Sequence, residues 1–156
     1  MRRVTTSHHT VVVRRSYDAT PARVFGAWRS GEALQRWYVP GDRTWRCKVL
    51  AHEFRVGGAK QLSFGAPGDV EYFEDCRYED IVEDQRICFA MTISRGSQRI
   101  TTSMVTVELE ARGRGTSLAV TDQLVVLDGG DTAGGREHGW GETLDKLPAE
   151  LARASA

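Results

Sequence analysis

The segment GGREHGWGETLDKLPAELAR, residues 134–153, places Trp140, Leu144, Leu147 and Leu151 at i, i+4, i+7 and i+11. That spacing is one face of an α-helix. Arg136, Glu137, Asp145, Lys146 and Glu150 are expected on the opposite, solvent-facing side. Gly139 and Gly141 flank Trp140, and each costs a helix about 1 kcal/mol relative to alanine. Either a neighbouring element approaches closely there, or the helix start is irregular and leaves room. Pro148 lacks a backbone donor and crowds the carbonyl of Leu144, so a kink is expected. An amphipathic helix must lie on an apolar surface, and most of the chain before it reads as strand.

Thr10 to Tyr17 is β-branched and reads as a first strand. Thr20 as N-cap and Pro21 at the first helical position open a short helix carrying Val24, Phe25 and Trp28 on one face. Gly31 punctuates it, and Glu32 to Tyr38 forms a second, ended by Pro40-Gly41-Asp42. From Trp45 onward the apolar period becomes two. Strands are expected over 45–54, 60–64, 70–81, from Ile87 to Ile93, over 99–110 and over 116–126. Short turns between them imply an antiparallel meander. Asp128 to Gly135 is a mobile glycine-rich loop leading into the last helix, with Asp131 or Thr132 near its N-cap. The order β-αα-β6-α is an α+β arrangement.

The chain has 156 residues, the size of one domain. Residues 1–9 are polar and expected to be a flexible tail, leaving 10–156 as the domain. A formal net charge of zero gives no electrostatic argument for nucleic acid or an anionic membrane. No run is long and apolar enough for a transmembrane helix, and the N-terminus lacks the apolar stretch of a secretory signal. Cys47, Cys76 and Cys88 are odd in number and widely spaced, which fits reduced thiols in a cytoplasmic protein.

Several motifs in register carry a family resemblance. They are RSYDATPARVFGAW at 15–28, RWYVP at 36–40, FRVGG at 54–58, VTVEL at 105–109, LDGGD at 127–131 and GWGETLDKL at 139–147. Together they resemble the bacterial homologues of the heat-shock-protein-90 ATPase activator, within the START-like (SRPBCC, helix-grip) superfamily. The resemblance implies a curved antiparallel sheet wrapped around a long C-terminal helix, with two short helices after strand 1. It also implies a hydrophobic cavity between sheet and helix. It does not settle function, because the superfamily spans carriers, receptors, aromatases and cyclases.

Candidate site residues follow from which side of each element they occupy. Trp28, Trp37, Trp45, Phe64, Tyr72, Phe89, Met91, Trp140, Leu144 and Leu147 fall in expected elements, as ordinary core or as the wall of a ligand pocket. Glu74 shares the parity of Cys76 and Tyr78, and Asp122 that of Leu118 and Val120. Two carboxylates are therefore expected on the concave face, unless a bulge shifts them or they sit at a solvated mouth. Buried, either could serve as general acid or base. His138 starts the final helix near the expected cavity mouth. His52 alternates outward, and His8 and His9 lie in the tail. No histidine has a metal-ligand partner at suitable spacing, and no cofactor is expected. The glycine-rich loop lacks the Lys-Ser/Thr of a phosphate cradle, and no GxSxG elbow is present.

The leading expectation is binding of a small hydrophobic or amphipathic molecule, with no nucleic acid and no membrane insertion. A homodimer is left open. The alternatives are a cyclase-, isomerase- or hydrolase-type enzyme using Glu74, Asp122 or His138, and a co-chaperone-like interaction module.

Overall fold

The computed structural model describes residues 4–153. Its elements are β1 (Thr6–Tyr17), α1 (Pro21–Arg29), α2 (Gly31–Trp37), β2 (Arg46–His52), β3 (Ala59–Gly65), β4 (Tyr72–Val82), β5 (Arg86–Arg95), β6 (Gln98–Arg112), β7 (Gly115–Leu127), α3 (Ala133–Leu144) and α4 (Leu147–Ala152). The strands form one seven-stranded antiparallel sheet in the order β1-β7-β6-β5-β4-β3-β2. β2 to β7 are a meander, and β1 returns to pair with β7. This is the helix-grip α+β fold, with α3 gripped by the curved sheet.

Local chemistry sets the helix boundaries. Thr20 Oγ1 accepts the Arg23 N–H at 3.2 Å, and Pro21 takes the first helical position, where a missing donor costs nothing. Ser30 ends α1 and, through its Oγ on the Ala33 N–H at 3.1 Å, starts α2. Thr132 caps α3 by accepting the Gly135 N–H at 2.9 Å.

Alternation along the strands builds the core. Leu62 and Phe64 of β3, Cys76 and Tyr78 of β4, Phe89 and Met91 of β5, Val105 and Val107 of β6, and Leu118 and Val120 of β7 are all buried. Two irregularities change what faces inward. The β2–β3 register shifts between Val49 and Ala51, and half-buried His52 turns onto the Tyr78 hydroxyl at 2.8 Å instead of pointing outward. The β5–β6 register shifts between Ile93 and Ser94, so that Ile100 and Thr101, neighbours in sequence, are both buried.

Three expectations are corrected. β1 begins at Thr6, where it pairs with Leu127, so His8 and His9 are strand residues and not part of a frayed tail; residues 1–3 lie outside the described residues. The C-terminal segment is not one kinked helix but two helices, interrupted at Asp145 and Lys146. Pro148 enters the first turn of α4, where its missing donor is tolerated, and the Leu144 carbonyl it cannot serve accepts the Tyr17 hydroxyl at 2.8 Å instead. Arg136 and Glu150, expected toward solvent, are 6% and 5% exposed. Each is buried against an opposite charge: Arg136 on Asp122, and Glu150 on Arg36.

Candidate functional site

A cavity of about 240 Å³ lies between the sheet and the Trp140 end of α3. β3, β4, β5 and β6 contribute Phe64, Tyr72, Glu74, Met91, Ile93 and Ile100. The segment after α2 contributes Tyr38, Val39, Pro40 and Trp45, and α3 contributes Arg136, Gly139, Trp140 and Thr143. A Cβ at Gly139 would meet Pro40 at an ordinary 3.6 Å, so close approach of the Pro40 segment does not require glycine there.

One wall is a run of stacked rings. Phe64 and Tyr72 lie 5.2 Å apart with a 13° interplanar angle, and Trp45 lies 6.2 Å from Tyr72 at 19°. Gly41, at φ +87°, makes the Trp45 position possible, because a Cβ there would overlap the indole. Tyr38 meets Trp140 edge-on at 6.0 Å on the opposite side.

Glu74, on the cavity wall, belongs to a buried ion pair whose other member, Lys60, lies behind the wall. Glu74 is 6% exposed and Lys60 1%. Lys60 Nζ stands 3.3 Å from Glu74 Oε2 and donates to the Tyr38 hydroxyl at 2.8 Å. It also sits over the rings of Phe89 and Tyr38, 3.8 and 4.0 Å from their centroids. Cys76 Sγ donates to Glu74 Oε2 at 3.3 Å, and the Tyr38 hydroxyl approaches Oε1 at 3.5 Å. Burial first, and the Glu74 charge second, push both the Tyr38 hydroxyl and the Cys76 thiol well above their ordinary values. Both are therefore protonated donors, and Cys76 is not a thiolate nucleophile.

A second buried pair stands behind the α3 wall. Asp122 is fully buried, and its Oδ2 accepts from Arg136 Nη1 at 2.8 Å and Trp140 Nε1 at 2.9 Å. Arg136 also donates to Thr101 Oγ1 and faces Asp131 at 3.4 Å. Asp122 orients the two α3 side chains that form the wall without reaching the cavity itself.

Of the residues singled out in the sequence, Phe64, Tyr72, Glu74, Met91, Trp140 and His138 line the cavity. His138 is at the rim, largely exposed and 3.6 Å from Glu142. Trp28, Trp37, Phe89, Leu144 and Leu147 do not line it. Trp28 and Trp37 pack edge-on against each other at 4.8 Å in the closing helices. Phe89 lies under Lys60, and Leu144 and Leu147 are fully buried farther along the C-terminal segment. Trp45, weighed with the other aromatics, also lines the cavity, whereas Tyr38, Lys60, Ile100 and Arg136 were not anticipated. Two of these had a signal: Lys60 shares the parity of Leu62 and Phe64, and Arg136 lies one turn before Trp140 on the same helix face. Among the described residues no group of three or more His, Cys, Asp and Glu side chains is placed to hold a metal. No helix among them is long and apolar enough to cross a membrane.

Comparison with known proteins places this geometry in a family. Residues 18–152 match the family model described as Activator of Hsp90 ATPase homolog 1-like protein. A crystal structure of a protein from Rhizobium loti is 38% identical, with a TM-score of 0.83, covering 94% of this chain and 99% of its own. An uncharacterised protein of Rhizobium leguminosarum is 32% identical, with a TM-score of 0.87, covering 98% of this chain and 100% of its own. A Chromobacterium violaceum protein is 26% identical, with a TM-score of 0.82, covering 93% and 98%. No curated protein matches. The chain belongs to the family of Activator of Hsp90 ATPase homolog 1-like proteins.

Proposed function

We propose that the protein binds a small, largely apolar molecule in the cavity beneath Trp140. The observation that carries this reading is an aromatic-walled space holding one buried carboxylate. Apolar walls with a few placed polar groups are the usual chemistry of ligand sites. The Lys60–Glu74 pair adds support. A buried ion pair contributes little net stability compared with well-packed apolar residues, so packing alone is a weak reason for it. The cavity is smaller than the ~300–1,000 Å³ usual for drug-sized ligands, which favours a compact ring system over a long acyl chain. We also place the protein in a reducing, cytoplasmic setting, consistent with free thiols at Cys47, Cys76 and Cys88.

Native mass spectrometry tests the binding reading. Gently purified protein, or protein incubated with bicyclic aromatics, is expected to carry a noncovalent adduct, and Met91→Trp, which fills the space, is expected to lose it. No adduct on the wild type under either condition would overturn it.

Catalysis is the second reading, and one observation favours it: Glu74 faces the cavity and is linked through Lys60 to the Tyr38 hydroxyl. That arrangement suits proton abstraction from a bound ring compound, with Glu74 as base. For the chaperone-partner reading the family description is the whole support.

A further inference from the structure

We infer that the cavity selects neutral ring compounds bearing a hydroxyl or amine that donates to Glu74, and rejects carboxylates. This rests on the small-molecule reading above and names the ligand chemistry within it.

Most polar groups on the wall are already engaged within the protein. Apart from His138 at the exposed rim, the strong side-chain donors are taken. Arg136 is spent on Asp122, Thr101 and Asp131. Trp140 Nε1 is spent on Asp122. The Tyr38 hydroxyl accepts from Lys60 and points its proton toward Glu74. Lys60 itself is not on the wall; it is 1% exposed and held between two rings. At the rim, Lys146 Nζ donates to the Val39 carbonyl at 2.6 Å.

Glu74 is the exception. A carboxylate offers about four acceptor positions. The Cys76 thiol donates at 3.3 Å, an ordinary length for sulfur, but the nitrogen and oxygen neighbours of Glu74, Lys60 Nζ and the Tyr38 hydroxyl, stand at 3.3 and 3.5 Å. Hydrogen bonds to a charged carboxylate usually close to roughly 2.7–2.9 Å. Its acceptor capacity is thus only loosely used by these two, and the carboxylate is itself buried. A ring hydroxyl or amine would supply the missing short donor while its ring lies among Phe64, Tyr72 and Trp140. A ligand carboxylate meets the reverse situation. Glu74, Asp131 and Glu142 line the cavity, and the guanidinium of Arg136, the permanently charged cation on its wall among the described residues, is already neutralised.

The test uses three ligands of one shape: 2-naphthol, 2-methylnaphthalene and 2-naphthoate. Each is titrated into the full chain, and the indole N–H resonances of Trp45 and Trp140 are followed by NMR, with Trp28 and Trp37 as internal controls. The expected order is 2-naphthol tighter than 2-methylnaphthalene by about tenfold or more, as a hydrogen bond to a charged group implies, with 2-naphthoate weakest. Glu74→Gln, which keeps an acceptor and removes the charge, is expected to narrow the gap between 2-naphthol and 2-naphthoate. If that variant does not fold, the wild-type order decides alone. Equal affinity for 2-naphthol and 2-methylnaphthalene at Trp140 overturns the selectivity and leaves the cavity reading standing. No response of Trp140 to any of the three overturns both.

Discussion

At the scale of single residues, opposite charges occupy the interior in pairs. Lys60 and Glu74 are the most enclosed of these on the cavity side. Removing one partner leaves the other charged and unpaired, so Lys60→Met is expected to cost about 3–5 kcal/mol in urea unfolding. The double variant Lys60→Met/Glu74→Leu is expected to return close to wild-type stability, because the pair is then replaced by apolar volume. A double variant as unstable as the single one would show that the pair is structural. Glu150 gives a pH prediction. Its hydrogen bonds from Arg36, at 2.8 and 2.6 Å, hold its carboxyl below the ordinary value of 4.5. A lowered carboxyl stabilises the fold above its unfolded value, and that contribution is lost as pH falls through the lowered folded value. Glu150→Gln is therefore expected to cost about 1–2 kcal/mol at pH 6, a figure kept low because the Arg36 side chain is 37% exposed. The deficit relative to wild type should shrink toward pH 3, measured by urea midpoints at both pH values.

At the scale of elements, the break between α3 and α4 shows how one strand residue and one helix residue settle a boundary together. Pro148 leaves the Leu144 carbonyl without an intrahelical donor, and the Tyr17 hydroxyl on β1 fills the gap. Tyr17→Phe keeps the ring and removes that bond. It is expected to cost about 1–3 kcal/mol, the penalty for leaving a buried carbonyl unsatisfied. The measurement is equilibrium denaturation, and a change within a few tenths of a kcal/mol would show that the carbonyl finds another donor. The elements themselves were legible in the sequence. Thr20-Pro21, Ser30-Gly31 and the period-two runs after Trp45 are local signals, and each element sits within a few residues of its expected place. What local signals missed was the bulge at Ile100, which puts two consecutive residues inward, one onto the cavity wall and one onto Arg136.

At the scale of the whole molecule, the sheet is held at one edge by β1. Its first half, read from composition as a polar tail, pairs along Leu124–Leu127 of β7, and the Thr5 N–H donates to the Asp128 carboxylate at 2.9 Å. Deleting residues 1–9 is expected to remove about 2–3 kcal/mol. That lowers Tm by about 4–12 °C at roughly 2–4 °C per kcal/mol for a chain of this size. An unchanged Tm would mean that this half of β1 contributes nothing to stability. The tail reading failed because an edge strand with one solvent face carries little apolar pattern. Thr6, Ser7 and His8 are exposed and His9, in line with Val11 and Val13, is only half-buried, so only the partner strand makes this half β-structure.

Residue pattern was enough to set the order of the elements up to the last helix, the α+β class and, away from the bulges, the inward side of the strands. Glu74 and Asp122 were placed on the concave face by parity alone, because side-chain alternation is a property of one strand. Which of the two reaches the cavity was not a local property. Asp122 is covered by Arg136 and Trp140, whereas Glu74 opposes a wall of rings and keeps loosely used acceptor capacity. The pairings that decide this join residues far apart in the chain: Lys60 with Tyr38, Arg36 with Glu150, and Tyr17 with Leu144. They depend on strand register, on bulges and on where the helices cross the sheet. Those are fixed only when the elements pack and bring buried polar groups onto their partners.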